Sequence, residues 1–272
     1  MSGSRARTVN LHLICGAVVV FMIFPVAWAV LASFRRPGDL YDANPLIAHP
    51  TLDSYRIALN AFPLVRLLLN TILMAVGVTV GQVLLAILAG YGLIAFRFRG
   101  RRALFAVVTL AILVPQQCLI IPSYIFVARL GWMNSYLGLV VPLTGAAAFA
   151  VMLLKQHIEA LPSSLFEAAA LDGAKHRETL WRVVVPAVRP AIGALAVLVF
   201  VSNWNEYLWP LLVSSGREQT TIQVGLQLFQ TQEGAQYGPM MAAATLATIP
   251  VLLAYLFNQR RVTDAFLRAG IR

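Results

Sequence analysis

Few residues in this chain have the types and spacing to do chemistry, and most of them fall in three short stretches. FVSNWNEYLWPLL at 200–212 sets Asn205 and Glu206, close to Ser202 and Asn203, among apolar and aromatic residues. SLFEAAALDGAKHRETLWRVVVPAVRP at 164–190 gathers Glu167, Asp172, Lys175, Arg177, Glu178 and Arg182. Gln116 and Gln117 follow Pro115, with Pro122 close behind. Carboxylates and carboxamides so placed can hold a solute's hydroxyls or a backbone N–H, but none stands beside a nucleophile and base. The phosphate-cradling G-x-x-x-x-G-K-[ST] loop needs a lysine after glycine; Lys155 and Lys175 follow leucine and alanine. Neither an H-E-x-x-H zinc helix nor a G-x-S-x-G elbow occurs. His12, His49, His157 and His176 are scattered, and Cys15 and Cys118 lie apart in apolar runs, which gives neither a four-ligand metal site nor a disulfide framework. The sequence predicts no catalytic, cofactor-binding or metal-binding residue.

The elements that must position these side chains are strongly apolar. Hydrophobic residues make up 59% of the 272 and charged residues only 12%. A helix crossing the bilayer core needs about 20 apolar residues, and six runs answer to that, at residues 11–31, 67–96, 103–127, 137–154, 191–213 and 240–257. The second is long enough to tilt or project from the membrane. Arg5 and Arg7 precede the first run and Ala27-Trp28-Ala29 is faintly like a cleavage site. Signal-peptide cores are only about 7–15 residues, so the run reads as an uncleaved helix. The net charge of +10 would suggest nucleic acid in a soluble protein. Here basic residues flank spans and set orientation, and no aromatic-rich basic module is visible. With both termini cytoplasmic, fifteen Lys and Arg fall inside and six outside. The FRFRGRR turn at 96–102 supports that direction, while Arg35 and Arg36 oppose it.

The stretch from Ser164 then faces the cytoplasm. It cannot cross lipid: Asp172, Lys175, Arg177 and Arg182 together would cost roughly 10 kcal/mol at the bilayer centre. It reads as helix. Ser164 and Glu167 have capping-box spacing, Pro162 ends any preceding helix, and Ala168, Ala169 and Ala170 are strong helix formers. Gly173 permits a bend or left-handed cap, and a second helical segment at about 174–185 should stop at Pro186. The residues leave two readings open. One is an amphipathic helix at the lipid surface, although acids and bases are mixed on it. The other is a knob that fits a groove in a soluble partner.

The spacing adds a resemblance. Glu167-Ala168-Ala169, three residues, Gly173, and then Val183-Val184-Val185-Pro186 resemble the E-A-A-x3-G-x9-I-x-L-P signature of permease subunits of ATP-binding-cassette importers. Val183 and Val185 stand where isoleucine and leucine are usual. EAAALDGA, the NWNEYLWPLL run, TIQVGLQLF at 221–229 and the basic tail after Phe257 resemble the carbohydrate branch, of maltose and glycerol-3-phosphate type, from about residue 66 onward. The resemblance implies an all-α, polytopic MetI-like fold of six transmembrane helices in one domain. It implies a core of about 66–260, a cytoplasmic coupling loop of about 156–188 and an external loop of about 214–239. It makes Glu167, Ala168, Ala169, Asp172 and Gly173 the contact with an ATPase. The implied partners are a second homologous permease subunit, two ATPase subunits that bind ATP and Mg, and an extracytoplasmic solute-binding protein. The place is the bacterial inner membrane, in contact with lipid and not nucleic acid.

Polar groups within spans are costly and mark candidate pathways. Glu206 is the sole Asp, Glu, Lys or Arg in the six runs. With Asn205 it lines a route or gate, which the resemblance favours, or belongs to the outer aromatic belt, where Trp204 and Trp209 are placed. Gln116 and Gln117 bond either sugar hydroxyls or a neighbouring helix, in a span that Pro115 and Pro122 should break. Asn70, Thr71, Thr79, Gln82 and Gly77-x3-Gly81 read as helix packing. The segment 214–239, too polar for lipid, is a docking surface by resemblance or else a solvated loop, with TIQVGLQLF as a short interfacial helix. The expected solute is a sugar or sugar-like. Glycerol-3-phosphate, another small polar solute, and a non-transporting scaffold or enzyme stay as alternatives.

Overall fold

A computed structural model describes residues 2–36, 50–216, 219–231 and 234–269. His49, Arg217, Gln232 and Arg272, which the sequence assigns to loops and the C-terminal tail, lie outside the described residues. Three continuous helices are long and apolar enough to span a membrane: Asn10–Ser33 within α1 (Ser2–Ser33), α3 (Leu64–Ala95), and Tyr237–Phe257 within α14 (Tyr237–Ala269). Three bent helix pairs pass the same test, so the described residues hold up to six spans, counting each bent pair as one.

The chain divides into two compact units. The first comprises Met1–Arg66 and Gly225–Ile249. Along α1 the apolar side chains from Leu11 to Phe24 are exposed, as lipid-facing residues are. α2 (Asp53–Ala61) is tied to its end: the Ser33 and Tyr55 hydroxyls are 2.8 Å apart, and the Thr51 N–H donates to the Phe34 carbonyl at 2.8 Å. The Phe62 ring meets Phe229 edge-on at 5.0 Å. A minimal antiparallel ladder pairs β1 (Gln230–Thr231) with β2 (Gly234–Ala235).

The second unit comprises Leu67–Val224 and Pro250–Arg272. Its third span is broken. α4 (Arg101–Ala111) ends ahead of Pro115, a 3-10 turn runs over Gln116–Leu119, and α5 (Ile120–Arg129) leaves at 97°. Pro115 alone makes the break. Pro122 is accommodated in the first turn of α5, where its missing N–H is little loss. α6 (Tyr136–Gly145) and α7 (Ala148–Glu159) are bent by 50°. That bend frees the Leu143 carbonyl, which accepts the Ala146 N–H at 3.2 Å and Gln82 Nε2 at 2.7 Å.

Of the polar residues of α3 expected to pack helices, Asn70, Thr71 and Gln82 bond to other segments, while Thr79 Oγ1 donates to the Ala75 carbonyl of its own helix at 2.6 Å. Asn70 Nδ2 donates to the Thr220 carbonyl and its Oδ1 accepts the Tyr136 hydroxyl, at 2.9 and 2.7 Å. Thr71 Oγ1 accepts the N–H of Ile222, at the head of α13 (Ile222–Gln227), at 2.9 Å. Ile222 and Val224 are buried, so this helix of the TIQVGLQLF segment is packed against protein at its start. A β-carbon on Gly81 would lie 2.5 Å from the Thr144 methyl, and one on Gly77 3.3 Å from the Val140 methyls. The two glycines let α3 approach α6 closely. Leu154, Ile158, Leu180, Val184 and Leu195 centre one apolar core, and Met74, Val78, Val127 and Trp209 a second.

Candidate functional site

The stretch 162–187 folds locally from its own sequence. α8 (Ser163–Leu171) begins directly after Pro162, whose extended backbone ends the chain's previous course. Ser164 therefore sits inside the first turn, and the capping box expected with Glu167 does not form: no side chain caps this end. Half of such a box appears one helix later. Glu178 Oε2 accepts the Lys175 N–H at 3.0 Å and so fixes the entry of α9 (His176–Glu178).

Gly173 behaves as expected. Its φ is +73°, and the Ala174 N–H reaches the Ala169 carbonyl at 3.0 Å while the Gly173 N–H reaches Ala170 at 3.1 Å. This is the Schellman closure, which satisfies carbonyls that a helix end otherwise leaves open. The second segment does not stop at Pro186. It widens into a π-helix over Thr179–Val184 and continues as α10 (Val185–Ala187). The wider register removes the demand for the N–H that proline lacks. α11 (Arg189–Trp204) then leaves at 77°.

Glu167, Ala168, Asp172 and Gly173 are exposed, whereas Ala169 is buried. Leu171, at the end of α8, is 89% exposed. Behind the stretch, the His176 ring lies 4.6 Å from that of Phe96, and its Nδ1 is 3.3 Å from the Tyr91 hydroxyl. No periodicity pointed to these contacts, because they join positions about 80 and 85 residues apart.

The other candidate residues converge on the broken spans. A cleft of about 210 Å³ is lined by Gln116, Gln117, Ser123, Glu206 and Trp209, among others. A second cleft, of about 250 Å³, is lined by Gln82, Gln116, Ser202, Asn203 and Glu206 with apolar neighbours. The two share Gln116, Leu143, Ala146 and Glu206. Gln82, Ser123, Ser202 and Asn203 were not singled out for this wall. The one available signal was Gln82 in an apolar helix, and it serves both the packing bond to Leu143 and the cleft.

Glu206 lies where α11 has ended and α12 (Leu208–Val213) begins, and its Oε1 accepts the Trp209 N–H at 3.0 Å. Asn205 does not join it. The Asn205 side chain turns back to the Val201 carbonyl at 2.8 Å and lines neither cleft. Trp204 and Trp209 are not belt residues. Both are buried, and Trp209 Nε1 donates to the Gly138 carbonyl at 3.0 Å.

Up to six apolar spans, two clefts carrying polar side chains at helix breaks and an exposed, glycine-capped helix with the EAA spacing are features of a multi-pass membrane permease subunit. The chain belongs to the family of binding-protein-dependent transport system inner membrane components, whose model matches residues 82–266. It is 31% identical over 267 residues to the sn-glycerol-3-phosphate transport system permease protein UgpE of Yersinia pestis bv. Antiqua, covering 94% of each chain. It is 29% identical over 245 residues to the lactose transport system permease protein LacG of Rhizobium radiobacter, covering 90% of this chain and 89% of that one. In fold it matches a chain of a bacterial ABC transporter involved in import of the acidic polysaccharide alginate, with a TM-score of 0.81, 21% identity, and 96% and 98% of the two chains covered. The protein is thus a permease-type inner-membrane component of a binding-protein-dependent transport system.

Proposed function

We propose that the chain forms half of a sugar pathway and receives mechanical work through its EAA loop. The exposed α8 with its Schellman closure carries this reading: Glu167, Ala168, Asp172 and Gly173 stand exposed for a groove in an ATPase subunit, and the buried Ala169 anchors the helix beneath them. Two such ATPases bind ATP and Mg and hydrolyse ATP; this subunit binds no cofactor itself. A second homologous permease subunit supplies the opposite wall, and an extracytoplasmic binding protein delivers the solute. Both termini and the EAA loop are cytoplasmic, as the excess of basic residues on that side supports.

Gln116, Gln117 and Glu206 line the route, while Asn205 caps its own helix. Each cleft is smaller than the roughly 300–1,000 Å³ of a complete small-molecule site, which suits one wall of a shared pathway. Closure of the ATPases moves the loop and shifts the population between inward and outward openings. The test is to purify the complex with its partner subunits and follow solute-stimulated ATP hydrolysis and uptake in vesicles. Uptake driven by ATP and lost when α8 is altered supports the reading. Uptake independent of ATP overturns it.

A further inference from the structure

We infer that the turn joining α3 to α4 binds the phosphodiester headgroup of an anionic phospholipid through Arg97, Arg99 and Arg102. The inference does not depend on the solute route. The turn, FRFRGRR at 96–102, holds four arginines: Arg97, Arg99, Arg101 and Arg102. No Asp or Glu stands between Asp53 and Glu159, so the flanking sequence supplies no carboxylate to neutralise them. Arg101 is engaged internally, its Nη1 donating to the Ile94 carbonyl at 3.5 Å. Arg97, Arg99 and Arg102 are exposed and make no ion pair among the described residues. Arg101 and Arg102 also open α4, where the positive end of the helix dipole disfavours a cation, and no acid stands in that first turn to offset them. The cluster needs an anion from outside the chain.

Depth and charge pattern make that anion a lipid's. α3 ends at Ala95 and α4 starts at Arg101. Between them Gly100, at φ +89°, turns the chain, and the Arg101 N–H reaches the Phe98 carbonyl at 3.4 Å. So short a link keeps the arginines beside the ends of two apolar elements. Leu104, Val107 and Leu110 of α4 are exposed. At 1.5 Å per residue they begin about 3 Å along the helix from Arg102, so the cations adjoin surface suited to acyl chains. Phe96 and Phe98 are exposed between the arginines, an interfacial pairing of apolar and basic groups. Phe96 also rests on the His176 ring at 4.6 Å, which holds the turn without using an arginine. The coupling stretch is different. It interleaves Lys175, Arg177 and Arg182 with Glu167, Asp172 and Glu178, and Arg182 pairs with Glu178 at 3.6 Å, a mixed surface suited to a protein partner. The turn offers one sign only. A guanidinium can take two phosphate oxygens at once, and a zwitterionic headgroup would bring its own cation into the cluster.

The test reads lipid at this point of the surface. Cys15 and Cys118 are replaced, Val107→Cys is labelled with bimane, and the complex with its partner subunits is placed in phosphatidylcholine nanodiscs. These carry rising fractions of dibrominated phosphatidylglycerol or dibrominated phosphatidylcholine, whose bromines quench only at short range. Phosphatidylglycerol should reach half-maximal quenching at about a tenfold lower mole fraction. The preference should vanish when Arg97→Gln, Arg99→Gln and Arg102→Gln are combined. It should persist with lysine at those three positions, which keeps the charge. It should persist also when Lys175→Gln, Arg177→Gln and Arg182→Gln are combined, which removes as many cations from the coupling stretch. Equal quenching by the two lipids in the otherwise unaltered protein overturns the inference and needs no arginine variant to insert. A preference that survives the glutamine variant overturns it too, and ATPase subunits shed from that variant would then give the turn to the ATPase. Loss of the preference with lysine, or equally in the coupling-stretch variant, overturns it as well. Abolition of the preference by millimolar inorganic phosphate would give the site to a free anion instead.

Discussion

The N–H of Ala174 donates to the carbonyl of Ala169 at 3.0 Å, across a glycine held at φ +73°. That one bond explains the spacing of the motif. In a Schellman closure the left-handed residue stands four positions after the residue whose carbonyl is captured. The second alanine of Glu-Ala-Ala and the glycine four residues later are those two positions. Ala169 faces inward and Glu167 and Ala168 outward, so the closure fixes which side of α8 is presented.

Gly173→Val should therefore act through backbone strain. Nothing lies within 4 Å of a β-carbon at this position, so the chain itself offers no clash. The left-handed conformation costs a branched residue about 1–2 kcal/mol, while asparagine tolerates it. Purified Gly173→Val complex should retain less ATPase subunit, or hydrolyse ATP without import, and Gly173→Asn should stay nearer the unaltered protein. Equal defects in both variants would place the damage at contact with the partner. Normal ATPase retention and normal coupling in both would end the coupling assignment.

Glu167→Lys separates docking from folding. Glu167 is exposed and no side chain caps this end of α8, so little internal stability depends on it. Thermal unfolding of the subunit should move by no more than about 0.5 kcal/mol. Association with the ATPase should fall clearly, because charge reversal acts at the surface offered to it. A large loss of stability with unchanged association would invert this assignment of roles.

The spans and the helix closed by Gly173 were legible in sequence because each is local. Apolar runs of bilayer length, a glycine after an alanine run and polar residues in α3 announce themselves by spacing alone. What escaped was tertiary or a matter of register. The capping box at Ser164 failed because the helix starts two residues early, with Pro162 at its N-cap, and neighbouring helix-start signals compete. Pro186 failed as a stop because π-helical widening absorbed it. Trp204 and Trp209 have the composition of a lipid belt, but the turn at Asn205–Tyr207 redirects the chain and buries both. The same turn parts Asn205 from Glu206, which adjacency in sequence had joined.

Sidedness can be read with introduced thiols. The native Cys15 and Cys118 are both exposed, so they must first be replaced. Cysteine at Arg99, in the basic turn before α4, should then react only from the cytoplasmic side. Cysteine at Gly216 should react only from the outside, with an impermeant maleimide on intact cells and on inverted vesicles. Reaction of both from one side would reject the proposed orientation.

The contact between α3 and α6 offers a prediction of coupling between two positions. A β-carbon at Gly81 would stand 2.5 Å from Thr144 Cγ2 and 2.9 Å from Oγ1, closer than real contacts allow. Overpacking of this kind costs about 1–3 kcal/mol, so Gly81→Ala should lower the unfolding temperature in detergent. The Thr144 hydroxyl is buried with no hydrogen-bond partner among the described residues, so Thr144→Ala deletes an unsatisfied group and should change stability little. In the double variant the colliding atoms are gone and only the Thr144 β-carbon remains, at 3.3 Å. The pair should then be less destabilised than Gly81→Ala alone, with an interaction energy of about 0.5–3 kcal/mol. Gly77→Ala, facing Val140 methyls at 3.3 Å, should be milder than Gly81→Ala. Strict additivity at Gly81 and Thr144 would mean that α3 and α6 do not meet through this pair.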